Sequence, residues 1–252
     1  MKIRFLGSGD GVECKIKKRL SKEYRRPASI LIDDWLLIDP SDEAIAFADE
    51  FGLGSLYSGV TDIIFTLKSA PLFSKKTLDT LTRRQRINIF APEELCQGFS
   101  FSGNFSLYSY RRFTSFKARE TEILPLTANC EGEALFSLAI FSDRALLYAP
   151  RGGWISGDGF ALIKGLRFDA AVIDCAMGDG ELCFGHIYHN GVESAAMIKK
   201  MLSSAGVLGE KSRFILTSLP TNKKRSNMHE ELAEAAAEHG MTAAYDGYFV
   251  SV

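Results

Sequence analysis

Short, unbroken apolar runs set off by turn residues place the strongest limit on what this chain folds into. Asp62-Ile63-Ile64-Phe65-Thr66 and Arg86-Ile87-Asn88-Ile89-Phe90-Ala91 have the length and apolar character of strands covered on both faces. Ile3-Arg4-Phe5-Leu6 reads as a strand ending at the turn Gly7-Ser8-Gly9-Asp10-Gly11. Residues 28–33 and 35–39, joined at Asp34, read as a tight hairpin. Ser41 as N-cap, Asp42 and Glu43 in the first turn and Gly52 as terminator predict a helix over 42–51. Pro92 opens a short helix over 93–97. The Phe-, Tyr-, Ser- and Thr-rich middle predicts an antiparallel meander over 105–110, 115–124 and 134–141. From residue 144 strands (144–149, 170–174, 214–217) alternate with helices (160–165, 192–205), and the chain closes on strands at 243–245 and 248–252. Asn227-Met228-His229-Glu230 has the form of a capping box opening a further helix that ends at Gly240. Both halves run strands and then helices, so two packed sheets with helices outside, in one domain over 1–252, is the economical architecture.

Composition narrows the class. An apolar content of 46% excludes a disordered chain, and 22 Gly and 7 Pro without a period exclude a collagen-like one. Thirty basic against 31 acidic residues leave a net charge of −1, without the basic excess of a dedicated nucleic-acid binder. No apolar run approaches the ~18–20 residues of a membrane helix, and the N-terminus lacks a signal peptide's apolar stretch. A soluble, cytoplasmic protein with no membrane role is expected. Cys14, Cys96, Cys130, Cys175 and Cys183 are scattered and odd in number, which reads as reduced thiols. The histidines are His186, His189, His229 and His239, so no imidazole is available from residues 1–185.

The order of motifs is informative. Phe5-Leu6-Gly7-Ser8-Gly9, Arg25-Arg26-Pro27-Ala28-Ser29-Ile30-Leu31-Ile32 and Leu37-Ile38-Asp39 resemble the opening of metallo-β-lactamase-fold hydrolases. Asp62-Ile63-Ile64-Phe65-Thr66, Leu146-Leu147-Tyr148-Ala149, Ala171-Val172-Ile173-Asp174-Cys175, Phe214-Ile215-Leu216-Thr217 and Tyr245-Asp246-Gly247 follow in the same order. His189-Asn190 before a helix and the Tyr-Asp-Gly ending are most similar to the cyclic phosphodiesterases of phosphonate breakdown. The resemblance spans nearly the whole chain. It implies an α+β fold, a four-layer αββα sandwich with its site at one edge of the two sheets.

It also implies two metal ions held by about five His and two Asp, and here the sequence departs from the pattern. The first ligand block falls on Leu67-Lys68-Ser69-Ala70-Pro71-Leu72, the next ligand near Ala128, the bridging Asp on Pro150 and the last His on Ser218. None is a good Zn or Mn ligand. The N-terminal cysteine cluster of the branch is reduced to Cys14. No metal and no other cofactor is therefore expected.

Lys68, Ser69 and Arg151 stand in vacated positions, where an ammonium and a guanidinium can hold a phosphate or carboxylate; alternatively they are loop residues free to drift. His189 takes the place of a histidine that contacts substrate phosphate in the resembling enzymes, either as a phosphate contact and general acid or as a packing residue with Asn190 as N-cap. Ser218 and Asp246 complete the candidate ligand-binding set, and Asp39 and Asp174 also lie at strand ends, where Asp commonly caps turns. Cys175, Cys183, His186 and His189 form a string with spacings wider than structural zinc motifs use, and Cys175 reads better as a small buried residue. The basic run Lys15, Lys17, Lys18, Arg19, Lys22, Arg25 and Arg26 reads either as a contact for nucleic-acid phosphates or, more commonly for such runs, as a solvated loop; Lys223-Lys224-Arg225 form a shorter patch near the site edge, and a nucleotide-sized anion is compatible with both. The expected function is a non-catalytic protein that binds a small anionic or nucleotide-like ligand, or a protein partner. The alternative is a phosphodiesterase-like hydrolase working through Lys68, Arg151 and His189.

Overall fold

The computed structural model describes residues 1–14, 16, 18–50, 58–67, 75–83, 85–99, 103–128, 136–179, 188–221 and 228–252, with the backbone alone at 75 and 76. The described residues build two seven-stranded sheets. In the first, β1 (Lys2–Gly7), β2 (Ser29–Ile32) and β3 (Leu36–Ile38) are antiparallel, and β4 (Asp62–Ile64), β5 (Ile87–Pro92) and β6 (Phe105–Tyr110) add in parallel. The last strand, β14 (Phe249–Ser251), returns to pair with β1. In the second, β7 (Phe116–Ala118), β8 (Thr121–Thr127), β9 (Phe136–Phe141) and β10 (Ala145–Ala149) are antiparallel. There β11 (Phe168–Asp174), β12 (Leu208–Thr217) and β13 (Thr242–Ala243) continue in parallel.

Alternation along these apolar strands explains the layering. Leu36, Ile38 and Ile64 meet Leu138, Ile140, Leu146, Tyr148 and Val172 between the sheets. Their neighbours Leu37 and Ile63 point the other way, against Ala44 and Ile45 of α1 (Asp42–Glu50) and Leu78 and Leu81 of α2 (Lys75–Thr82). Leu95 of α3 (Glu93–Gln97) joins the same cluster. On the far side, Leu147, Ala171, Ile173 and Leu216 pack on Ile163 of α4 (Gly157–Ile163), Val192 and Ile198 of α5 (Val192–Ser204) and Leu232 of α6 (His229–Glu238). This is an α+β, four-layer αββα sandwich, with three apolar layers that each bury a period-two face. No helix among the described residues is long and apolar enough to cross a membrane.

Three local expectations are corrected. The middle segment is not one meander: β6 stays with the first sheet, parallel to β5, while 115–124 folds as the β7–β8 hairpin of the second. Its turn holds Arg119 at φ 52°, which breaks what looked like one strand. Helix α6 is capped one residue later than expected, because the Glu231 carboxylate accepts the Met228 N–H at 3.1 Å; Asn227 lies outside the described residues. The N-cap of α5 is Gly191 rather than Asn190.

Candidate functional site

The parallel strands β3, β4, β10, β11 and β12 deliver Asp39, Thr66, Pro150, Asp174 and Ser218 at their carboxyl ends, where open α/β sheets gather ligands. Gly9 joins the sheets there, bridging both Pro27 and Leu219. The Asp10 N–H donates to the Leu219 carbonyl at 3.0 Å, and the Thr221 hydroxyl donates to Asp10 Oδ1 at 2.7 Å. The Ser218 hydroxyl, at φ 53°, donates to the Pro150 carbonyl. The turn after β1, the loop at Pro150 and the loop over 218–221 are therefore joined at one edge.

Asn190 is the hub of this edge and was missed as such by the sequence. Its N–H donates to Asp174 Oδ2 at 2.8 Å, and its carbonyl accepts the Met177 N–H at 2.9 Å. Its side-chain amide donates to the Gly153 carbonyl at 3.1 Å and reaches the Gly152 carbonyl at 3.5 Å. Because both partners are carbonyl oxygens, the nitrogen must face them and Oδ1 must face away. One buried side chain thus fixes the loop that carries Arg151 to the strand end that carries Asp174. His189 Nδ1 lies 3.4 Å from Asp174 Oδ2, with the imidazole side chain 47% exposed.

Arg151 is partly buried and turned into the protein. Its Nη1 would lie 3.6 Å from a Cβ at Gly11, so the turn after β1 covers it. Burial raises the Asp39 carboxyl above its ordinary value, and the Arg151 charge works against that rise, as do two hydrogen bonds from Thr66. Those bonds, N–H to Oδ1 at 2.7 Å and hydroxyl to Oδ2 at 2.6 Å, occupy the inner face of Asp39. Arg151 Nε and Nη2 are buried and have no hydrogen-bond partner. These two atoms form the side-on fork that binds oxyanions in a bidentate way.

The remaining sequence candidates fall differently. Asp246 is turned inward: Oδ1 accepts the Ser8 N–H at 2.9 Å and hydroxyl at 2.8 Å, and Oδ2 accepts the Arg26 N–H at 2.9 Å and Nη1 at 3.0 Å. It is a strut between β1 and the C-terminus, its lone pairs taken. The Ser218 hydroxyl is likewise engaged with Pro150. Lys68 and Ser69, with Cys183, His186 and Lys223-Lys224-Arg225, lie outside the described residues. Cys175 is fully buried, and burial pushes its thiol well up, as a small packing residue requires. The basic run is not a solvated loop throughout: Arg25 is 1% exposed, and Arg26 stacks 4.2 Å over the Phe47 ring while pairing with Asp246. Lys22 lies 4.8 Å over the Tyr245 ring, and Arg19 pairs with Glu50 at 3.3 Å.

No protein-family model matches the chain, and no curated protein does. Solved structures match it end to end. One is the metallo-beta-lactamase fold protein YhfI from Bacillus subtilis, 13% identical over 99% of this chain and 98% of that one, TM-score 0.75. A diphosphatase from the PhnP family is 16% identical over 100% and 97%, TM-score 0.73. Zinc-bound PqqB from Methylobacterium extorquens is 16% identical over all of both chains, TM-score 0.71. The chain therefore has the metallo-β-lactamase fold, which the order of its motifs had implied.

A dinuclear metal does not fit the residues present. Leu67 and Pro150 are buried, and neither they nor Ala128 have a donor side chain. The Ser218 oxygen is committed to Pro150. Among the described residues no group of three or more His, Cys, Asp or Glu is placed to hold a metal ion.

Proposed function

We propose that this protein binds a small phosphate-like anion at this edge through the Arg151 fork, with His189 beside it, and does not catalyse metal-assisted hydrolysis. The carrying observation is a buried guanidinium edge with two N–H groups and no partner. Leaving buried donors unmade costs about 1–3 kcal/mol each, which an oxyanion recovers. Two structural relatives, a diphosphatase of the PhnP family and human tRNase Z (short form), are named for phosphate-containing substrates, which supports phosphate as the anion. The inward-facing Arg25 and Arg26 support a small ligand over a nucleic acid.

The test is titration calorimetry with inorganic phosphate on the intact chain and on Arg151→Met. Losing one bidentate charge-assisted pair, about 3 kcal/mol, should weaken binding ~100-fold. Unchanged phosphate affinity in Arg151→Met would refute the assignment.

The geometry at His189 favours a second reading. Its Nδ1 is oriented by Asp174, as a general acid requires. Turnover of phosphate esters that survives a chelator and is lost in His189→Ala would establish it.

A further inference from the structure

We propose that the site selects oxyanions that keep an acidic hydrogen at neutral pH, hydrogen phosphate above all, and rejects sulfate; this rests on the anion-binding reading above. The observation is a set of buried, unpaired side-chain oxygens at the ends of β11 and β12 and on the residue whose amide holds the Arg151 loop. Asp174 Oδ1, Asn190 Oδ1 and Thr217 Oγ1 are all buried and have no hydrogen-bond partner. Their residues are each 1% exposed.

Backbone register and hydrogen bonding bring them together. Asp174 and Thr217 are paired positions at the ends of β11 and β12, so their side chains share one face. Val172 and Ile215, two residues back, face the space between the sheets, so Asp174 and Thr217 stand at the upper edge of that space. Asn190 is held on Asp174 by its N–H and on the Arg151 loop by its amide, which leaves Oδ1 as the free end. The edge therefore combines a two-donor fork with two obligate acceptors and a hydroxyl.

An ion that only accepts satisfies the fork and leaves the acceptors unpaired against its own negative oxygens. An ion with a P–OH satisfies both, by accepting from Arg151 and donating to a carboxylate or amide oxygen. Sites whose buried polar groups need a ligand hydroxyl discriminate strongly against analogues without one. Hydrogen phosphate keeps such a hydrogen at neutral pH, and sulfate, equal in shape, does not.

Inorganic phosphate and sodium sulfate, titrated separately into the intact protein at neutral pH, separate the outcomes. Phosphate should bind roughly 10-fold more tightly, because sulfate leaves a buried acceptor unsatisfied. Asp174→Asn keeps an oxygen toward the Asn190 N–H and turns an amide donor toward the ligand, so its phosphate-to-sulfate ratio should fall toward unity as sulfate gains. Thr217→Val, close in shape, tests the hydroxyl if the first variant fails to fold, and it too should lower the ratio. Equal affinities in the unaltered protein, or ratios unmoved in both variants, overturn the selectivity and assign the acceptors to internal water. Binding of neither anion refutes the anion pocket itself, a result distinct from equal binding.

Discussion

His229 offers a measurement whose size follows from the structure. It opens α6, is 3% exposed, packs edge-on to Tyr245 at 5.5 Å and leaves Nδ1 buried without a partner. Burial, with the Arg25 and Lys22 charges adding to it, pushes the imidazole from its ordinary 6.5 down to about 4. The unfolded chain binds the proton first. This group therefore adds stability that is complete above 6.5 and is lost as pH falls through about 4. Linkage puts the loss at about 2 kcal/mol by pH ~5 and about 3 kcal/mol at its limit. Asp246 works in the opposite sense. Burial, only partly offset by its bonds to Arg26 and Ser8, raises it from 3.8 to about 6, so its stabilising contribution is complete below 3.8 and lost as pH rises through about 6. The two nearly cancel in the unaltered chain. His229→Phe keeps a ring against Tyr245 and removes the titration. At about pH 7.5 its urea midpoint should lie within about 1 kcal/mol of the parent. By pH ~5 it should be about 2 kcal/mol the more stable of the two, because only the parent then protonates on unfolding. A stability difference that stays constant between these pH values would refute the argument that His229 is buried neutral.

Two further outcomes test the fold and the expected lack of a bound metal. Gly7→Ala should remove the folded state from soluble expression, or cost more than ~3 kcal/mol by thermal melting, because the new Cβ overlaps the Pro27 carbonyl oxygen. Elemental analysis after dialysis should find less than one equivalent of Zn, Mn or Fe per chain, since no ligand position carries a suitable donor; about two equivalents would mean that the ligand positions are misassigned.

The fold was largely legible because strand burial leaves a signature in each strand's own residues. Ile30-Leu31-Ile32 and Leu36-Leu37-Ile38 are apolar at every position, so they needed cover on both faces, and the layers on either side supply it. Strand β6 was misassigned because Phe105-Ser-Leu-Tyr-Ser-Tyr110 alternates as any edge strand does, and nothing in it says which sheet it joins. The site was less legible because its contacts span long separations. An Asn before a helix looks like an N-cap, yet Asn190 reaches carbonyls 37 and 38 residues away. No spacing rule would have found that pairing. Likewise Arg25 and Arg26 sit in a run of charges that reads as solvated, and only the docking of Asp246 and Phe47 shows Arg26 folded inward.

The position of Arg151 argues against a loop residue free to drift. A strand-end carboxylate such as Asp39 is costly to keep ionised when buried, and Thr66 alone supplies hydrogen bonds without charge. Here the loop after β10 holds a guanidinium whose field works against the rise of the Asp39 carboxyl, and Asn190 and Ser218 pin that loop. Guanidinium suits this role because it does not lose its proton when partly buried, as an ammonium readily does. Its inner charge balances Asp39, while its side-on fork stays unpaired. A residue kept only to neutralise Asp39 would have no reason to present an unpaired bidentate edge. The charge facing Asp39 and the proposed oxyanion fork are separable: Arg151→Lys should keep a cation near Asp39 and the fold intact, yet bind phosphate more weakly in a calorimetric titration, as a point charge without the fork.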